Sequence, residues 1–187
     1  NIVIARYRGA GEEKMVKSTS DTAIITAIFS GIIIGIIGFL MARPVANFFG
    51  IDAEILDMSG LYMQIYFLGM PFVSLYNFIA ATMRGIGDTK NPMIALIISG
   101  ASNVFMNIIF VRNLGLGVSG VAIATILSQL IGVIILVVML KKSEIGLDIK
   151  TIRFNKVIFS KMLRIGFPAG IQGITFSLSN TIMVSSI

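Results

Sequence analysis

"MRGIGDTKNPM", residues Met83–Met93, puts two glycines, three charged residues and a proline into eleven positions, between long apolar runs on either side. "GIGDTK" invites comparison with a phosphate-cradling loop. Such a loop needs GxxxxGK[ST] after a strand, and this stretch has neither. The few residues between two apolar runs also leave no room for a nucleotide domain. The other reading is a corner. Gly85 and Gly87 permit the backbone angles of a tight turn, with Asp88 and Thr89 in its middle. Arg84 and Lys90 hold it at a membrane surface. Asn91 is expected to cap the next helix, and Pro92 to take its first position, where no amide donor is needed.

The runs around the corner decide the class. Five stretches carry no charged residue: 22–42 (21 residues), 58–83 (26), 91–111 (21), 113–140 (28) and 165–187 (23). About 20 apolar residues cross a bilayer's hydrocarbon core, so each is long enough to span one. One such run could be a buried helix of a soluble protein; five in series predict an all-α, polytopic membrane bundle. The whole chain of 187 residues is 56% hydrophobic and 13% charged, against about 25% charged in soluble domains.

The net charge of +6 follows the same topology. Alternate loops hold thirteen Lys and Arg against two, Arg43 and Arg112, in the others. Basic residues stay on the cytoplasmic side, which places the RGIGDTK corner and residues 141–164 inside, and Asp52 and Gly117 outside. The positive charge therefore serves orientation, and no nucleic-acid partner is expected. The chain has no Cys and no His, which excludes disulfides, thiolate chemistry, Ser-His triads and zinc sites.

Each span carries its own punctuation. Gly31, Gly35 and Gly38 put small residues on one stripe of the first, where another helix can come close. Arg43-Pro44 is expected to end it. Pro71 inside the second predicts a kink. Tyr62, Tyr66, Met70, Val73 and Asn77 fall near one face of that span, as a packing stripe or as a ligand wall. In the third, Ser99, Asn103 and Asn107 recur every four residues and share a face. Thr125 and Gln129 do the same in the fourth. Amides without partners in hydrocarbon cost several kcal/mol, so these must face the bundle or a wet cavity, as glue between helices or as a site. Gln172, Ser177, Ser179 and Asn180 give the last span a polar side, with Gly166, Gly170 and Gly173 beside it as an expected packing surface. Asp21, Asp57 and Asp88 flank the spans and read as caps or surface charges. Phe154, Val157, Ile158, Met162 and Ile165 fall on one face of a helix lying at the cytoplasmic interface.

"MRGIGDTKNPM" followed by "NLGLGVSGVAIATILSQ" resembles the multidrug and toxic compound extrusion (MATE) family of cation-coupled antiporters, and "GFPAGIQGITFSLSN" looks like the first helix of that family's second lobe. The resemblance covers nearly the whole chain. It implies a two-lobe, twelve-helix transporter, of which residues 1–140 are an incomplete first lobe from the end of helix two through helix six. Residues 141–164 are then the inter-lobe linker, and 165–187 the first helix of the second lobe. The sequence starts without Met, on what reads as a helix exit, and is expected to be a piece of a longer chain whose remainder is its partner. The resemblance further implies a multi-pass cytoplasmic-membrane protein, not an enzyme. It would export small organic, often cationic, compounds against Na⁺ or H⁺, with no other cofactor or metal.

By resemblance, Asn103 and Thr125 match the first-lobe ion site of one branch of the family. Asn107 stands where that branch has aspartate, and an amide offers a carbonyl but takes up no proton near neutral pH. Another branch uses a glutamate on helix seven; the matching position here is Phe176. Asn103, Asn107 and Thr125 are therefore the ion-coupling candidates, with any embedded acid expected elsewhere in the full chain. Tyr66, Asn77, Gln129, Gln172 and Asn180 are the candidates for a substrate cavity. Two other functions stay open: a lipid-linked oligosaccharide flippase of the same superfamily, which the RGxGDTK and AIATILSQ pairing disfavours, and a non-transporting membrane scaffold.

Overall fold

The computed structural model describes residues 2–48, 53–147 and 151–185, so Asp52 lies outside the described residues, as does the side chain of Asn180. Among the described residues seven α-helices follow one another: α1 (Ile2–Gly9), α2 (Glu13–Phe48), α3 (Ala53–Leu68), α4 (Met70–Gly85), α5 (Lys90–Asn107), α6 (Gly117–Lys142) and α7 (Lys156–Ser185). A π-helical turn, Ile108–Asn113, extends α5, and there is no strand among the described residues. Among the described residues three helices are long and apolar enough to cross a membrane, Glu13–Asn47, Lys90–Asn113 and Gly117–Lys142, and α3 with α4 make a fourth span if taken together. The expected fifth span, α7, does not stand with them. Gln172, Thr175, Ser177 and Ser179 interrupt its apolar sequence.

Helix α2 has 36 residues, about 54 Å at 1.5 Å each, against a hydrocarbon core of about 30 Å. It overruns the bilayer at both ends. Pro44 does not terminate it, contrary to expectation. The continuing helix keeps Ala42 and Ala46, one turn apart, both buried, although Pro44 removes the hydrogen bond its amide would have made to the Leu40 carbonyl.

Pro71 acts differently. Gly69 breaks the second span into α3 and α4, bent by 46°, and Pro71 sits in the first turn of α4. There the missing donor is one that a helix start leaves unpaired anyway. The break lies against the glycine stripe of α2. A Cβ on Gly31 would stand 2.6 Å from the Pro71 Cα, and one on Gly35 would stand 2.9 Å from the Phe67 carbonyl oxygen. On Gly38 it would fall 2.0 Å from the Phe67 ring. The stripe is therefore the seat of the bend.

The remaining helices close around these three. α6 packs on α3, α4 and α5, while α1 rests on α2 and α4 and α7 touches α2. The fully buried side chains Ile79, Met83, Leu136 and Leu140, with Ala95, form a core from α4, α5 and α6 directly beneath the opening corner. Elsewhere the apolar faces point outward, as with Phe29, Ile33, Leu96 and Phe105.

The corner is built as two caps sharing one residue. Gly87 has φ +96°, its amide donates to the Arg84 carbonyl and the Asp88 amide donates to the Met83 carbonyl. That pair of bonds, with a left-handed glycine, closes a helix C-terminus. Gly85 stays helical and buried as the last residue of α4. Asn91 does not cap α5. Asp88 accepts from the Asn91 amide (3.1 Å) and from Asn91 Nδ2 (2.7 Å), and Pro92 is the third helical residue. A carboxylate does this better than an amide because the helix start is electropositive. Tyr76 on α4 donates its hydroxyl to the Pro92 carbonyl at 3.3 Å, tying α4 to the head of α5.

The loops rich in Lys and Arg share one end of the bundle. Arg8, Gly87, Asp88, Lys142 and Glu144 line one recess of about 850 Å³ there, and Arg8 pairs with Glu144 across it. At the opposite end Arg43 lies 3.8 Å from Asp57. The interfacial amphipathic segment and the last span prove to be one helix, α7, starting at Lys156. Phe154 precedes it, and of the expected apolar face Ile158 is the buried member. Around Gly166, Gly170 and Gly173 there is open space, so no described helix packs on that stripe.

Candidate functional site

The shared faces read from the sequence bring three side chains together between α5 and α6. Asn107 Nδ2 donates to Asn103 Oδ1 at 3.0 Å, and Asn103 Nδ2 donates to Thr125 Oγ1 at 3.5 Å. Thr125 Oγ1 in turn donates to the Val121 carbonyl, one turn back, at 2.9 Å. All three residues are half-buried. The relay runs along α5 from Asn107 to Asn103 and crosses once to Thr125 on α6, and the acceptor at its starting end is left over. Asn107 Oδ1 is buried with no hydrogen-bond partner among the described residues. An orphaned buried acceptor costs about 1–3 kcal/mol unless something fills it.

Asn107 is also the last α-helical residue before the π turn Ile108–Asn113. There the Leu114 amide reaches back five residues to the Ile109 carbonyl at 3.0 Å. Such wider turns recur at functional sites. Chemically the cluster offers neutral oxygens to a hard cation of low charge. It offers no titratable group, and no set of His, Cys, Asp and Glu among the described residues could hold a metal ion.

The substrate-cavity candidates do not gather in this way. Tyr66 stacks with Tyr62 on α3, ring centres 6.2 Å apart. Asn77, beyond the bend, donates to the Val73 carbonyl and lines a cavity of about 410 Å³ between α1, α2, α4 and α7. Gln129 is half-buried on α6 and Gln172 exposed on α7. No hydrogen bond joins any two of these four among the described residues. The break at Gly69 is the reason for the first separation, since it interrupts the face that Tyr66 and Asn77 would share on a straight helix.

A second polar cluster escaped the sequence reading. Ser18, Thr19, Ser20, Asp21 and Thr22 form a polar segment of α2, buried but for Ser18, near the basic end. Asp21, expected as a cap or a surface charge, is 5% exposed. Thr19, Thr22 and Thr26 turn their hydroxyls to carbonyls one turn back, Met15, Ser18 and Thr22. Asn155, ahead of α7, donates its amide to Thr22 Oγ1 and its side chain to Ser18 Oγ. The four-residue spacing of Ser18, Thr22 and Thr26 was the available signal.

A polytopic helical membrane protein, with an amide relay between two spans and a glycine-seated broken helix, is the class these features define. The family model described as MatE matches residues 1–109, and the chain belongs to that family. It is 29% identical to the probable multidrug resistance protein YoeA of Bacillus subtilis, over 99% of this chain and 42% of that one. It is 31% identical to the probable multidrug resistance protein NorM of Thermotoga maritima, over 94% of this chain and 39% of that one. Among solved structures it resembles a MATE transporter in the bent conformation, with TM-score 0.88 at 23% identity over 94% of this chain and 40% of that chain. An inward-facing MATE transporter of the MOP superfamily matches with TM-score 0.82 at 23% identity, over 89% of this chain and 38% of that chain. These two likenesses concern the fold. The chain spans about 40% of the length of the relatives it matches.

Proposed function

We propose that the protein containing this chain is a secondary antiporter of the cytoplasmic membrane that exports small organic, often cationic, compounds in exchange for Na⁺ or H⁺. The names of the multidrug relatives support the substrate class. The observation that carries the coupling half of the reading is the orphaned Asn107 oxygen at the end of the amide relay. Asn103, Asn107 and Thr125 supply neutral oxygens to the ion. An acid elsewhere in the full protein supplies the compensating charge, because a site of neutral ligands alone holds a monovalent cation weakly. No nucleotide and no covalent chemistry enters the cycle. Two lobes rock about a central cavity, as in other repeat-built transporters.

The test is flux of a fluorescent organic cation by the full-length protein in liposomes under imposed Na⁺ or pH gradients. Asn103→Ala should reduce ion-driven efflux about tenfold while the amount of folded protein falls less, since it breaks the relay at its centre. Unchanged coupling in the Asn103→Ala, Thr125→Ala double variant would remove these residues from the mechanism. Ion-independent flux by the unaltered protein would remove antiport itself.

A further inference from the structure

The basic end of α7 is held by a different kind of contact from the rest of that helix. Asn155 Oδ1 accepts from the Val157 amide at 3.0 Å and from the Ile158 amide at 3.3 Å, so it caps the helix. The same residue faces α2: its backbone amide donates to Thr22 Oγ1 at 3.2 Å and Nδ2 donates to Ser18 Oγ at 3.5 Å. Ser18 and Thr22 lie one turn apart, so they present two acceptors on one face of α2. Ile158, within the capped turn, is fully buried. Lys161 then donates to the Tyr7 hydroxyl at 2.8 Å, an exposed contact with α1.

Beyond Lys161 the helices part. A cavity of about 410 Å³ separates Met162, Ile165, Gly166 and Ala169 from the facing helices. Another of about 510 Å³ lies along Leu163, Phe167 and Gly170. The hydroxyls of Thr175 and Ser179 turn back to carbonyls of α7 itself. Pro168 lies inside the helix, where it removes the hydrogen bond its amide would have made to the Arg164 carbonyl. One helix is thus pinned at its head, parted by cavities from α1, α2 and α4 along its body, and weakened in between.

We propose that Asn155 latches the head of α7 to α2 as a fixed pivot, about which the rest of α7 swings during transport. The proposal rests on the alternating-access reading above. Asn155 acts as a positioning residue: it touches neither ion nor exported compound. Its two functions are separable. The cap needs Oδ1; the latch needs Ser18 and Thr22. Thr22→Val keeps the shape of the α2 face and removes the acceptor without touching the cap.

The experiment uses the full-length protein in nanodiscs with pairs of spin labels. One pair, Lys14→Cys with Ser160→Cys, brackets the head; the other, Ile28→Cys with Phe167→Cys, brackets the body. Distances are compared in Na⁺, at low pH, and with tetraphenylphosphonium as the organic cation. The body pair should shift by more than about 5 Å between conditions and the head pair by less than about 2 Å. Thr22→Val and Asn155→Ala should broaden the head distances and slow turnover about fivefold, the size of one lost hydrogen bond, with KM little changed. Asn155→Asp, which keeps a capping oxygen and the backbone amide, should recover most of the turnover. If Asn155→Ala fails to fold, Thr22→Val carries the test alone. Head and body pairs moving together would overturn the pivot, as would ion-coupled flux with neither pair moving. Ion-independent flux with the head still and the body moving would sink the antiport reading and leave the pivot standing.

Discussion

Gly87 stands at φ +96°, in the left-handed region that a β-branched side chain tolerates poorly. Gly87→Val should therefore destabilise the folded protein by about 1–2 kcal/mol, seen as less membrane-inserted protein and a lower melting temperature. Asp88→Ala should cost about 1 kcal/mol by uncapping α5, and Asp88→Asn should restore much of it, because an amide oxygen still caps. Equal loss in both would mean that the Asp88–Asn91 bonds contribute nothing. The turn was legible in "RGIGDTK"; the residue that caps the next helix was not. Asp88 and Asn91 are both good capping residues, and a shift of one or two positions in where α5 begins decides between them. The amide relay shows the same limit. Four-residue spacing placed Asn103 and Asn107 on one face, and resemblance supplied Thr125, but spacing does not say which oxygen is left without a donor. Asn107→Asp adds a titratable group at that oxygen, so the pH dependence of efflux should shift in the variant relative to the parent. An unchanged profile in the variant would argue that position 107 does not meet the coupling ion.

Two glycines in helices separate packing from propensity. Gly31 has no room for a methyl group, and its neighbour is the Pro71 backbone, which cannot rotate away. Gly31→Ala should cost about 1–3 kcal/mol, as overpacked sites do. Gly100, in α5, has nothing near its absent Cβ, so Gly100→Ala should be neutral or stabilising by about 0.5–1 kcal/mol through helix propensity. Thermal or denaturant titration of the two variants decides the point. If both change alike, close approach is not what the α2 stripe provides. The stripe at Gly31, Gly35 and Gly38 was readable from its spacing. The same reasoning applied to Gly166, Gly170 and Gly173 named a packing face that no described helix covers. Spacing tells which residues share a face; what comes to meet the face is decided by other elements. Prolines carry a similar ambiguity. Pro71 follows a glycine at a break, whereas Pro44 lies within a helix whose buried Ala42 and Ala46 keep it going.

For the molecule as a whole, the gathering of the basic loops at one end leads to a direct test of sidedness. Single cysteines at Lys90 and at Asn113 in the full-length protein should differ in intact cells: an impermeant thiol reagent should label position 113 and leave position 90 silent until the cells are opened. The reverse pattern would overturn the assignment. Four of the spans could be read from charge-free runs, because hydrocarbon tolerates few charges; the split of the second into α3 and α4 and the polar interruption of the fifth were not. How the spans pair could not, since in lipid one apolar face is as good as another until small residues or amides choose between them. The polar segment around Asp21 was hidden for a related reason: it sits beside the first run, in the part of α2 that overruns the bilayer.

The seat of the bend on α2 has a consequence for how this bundle changes over generations. Gly31 and Pro71 touch through backbone, so neither position can be altered without regard to the other. Among relatives, a side chain at position 31 should accompany a straighter second span, with Gly69 and Pro71 replaced together. Where the break is kept, position 31 should stay glycine whatever compound the transporter carries. The two positions should then be inherited as one character, and a chimera that joins α2 of one lineage to α3 and α4 of another should fail when their histories at 31 and 71 disagree.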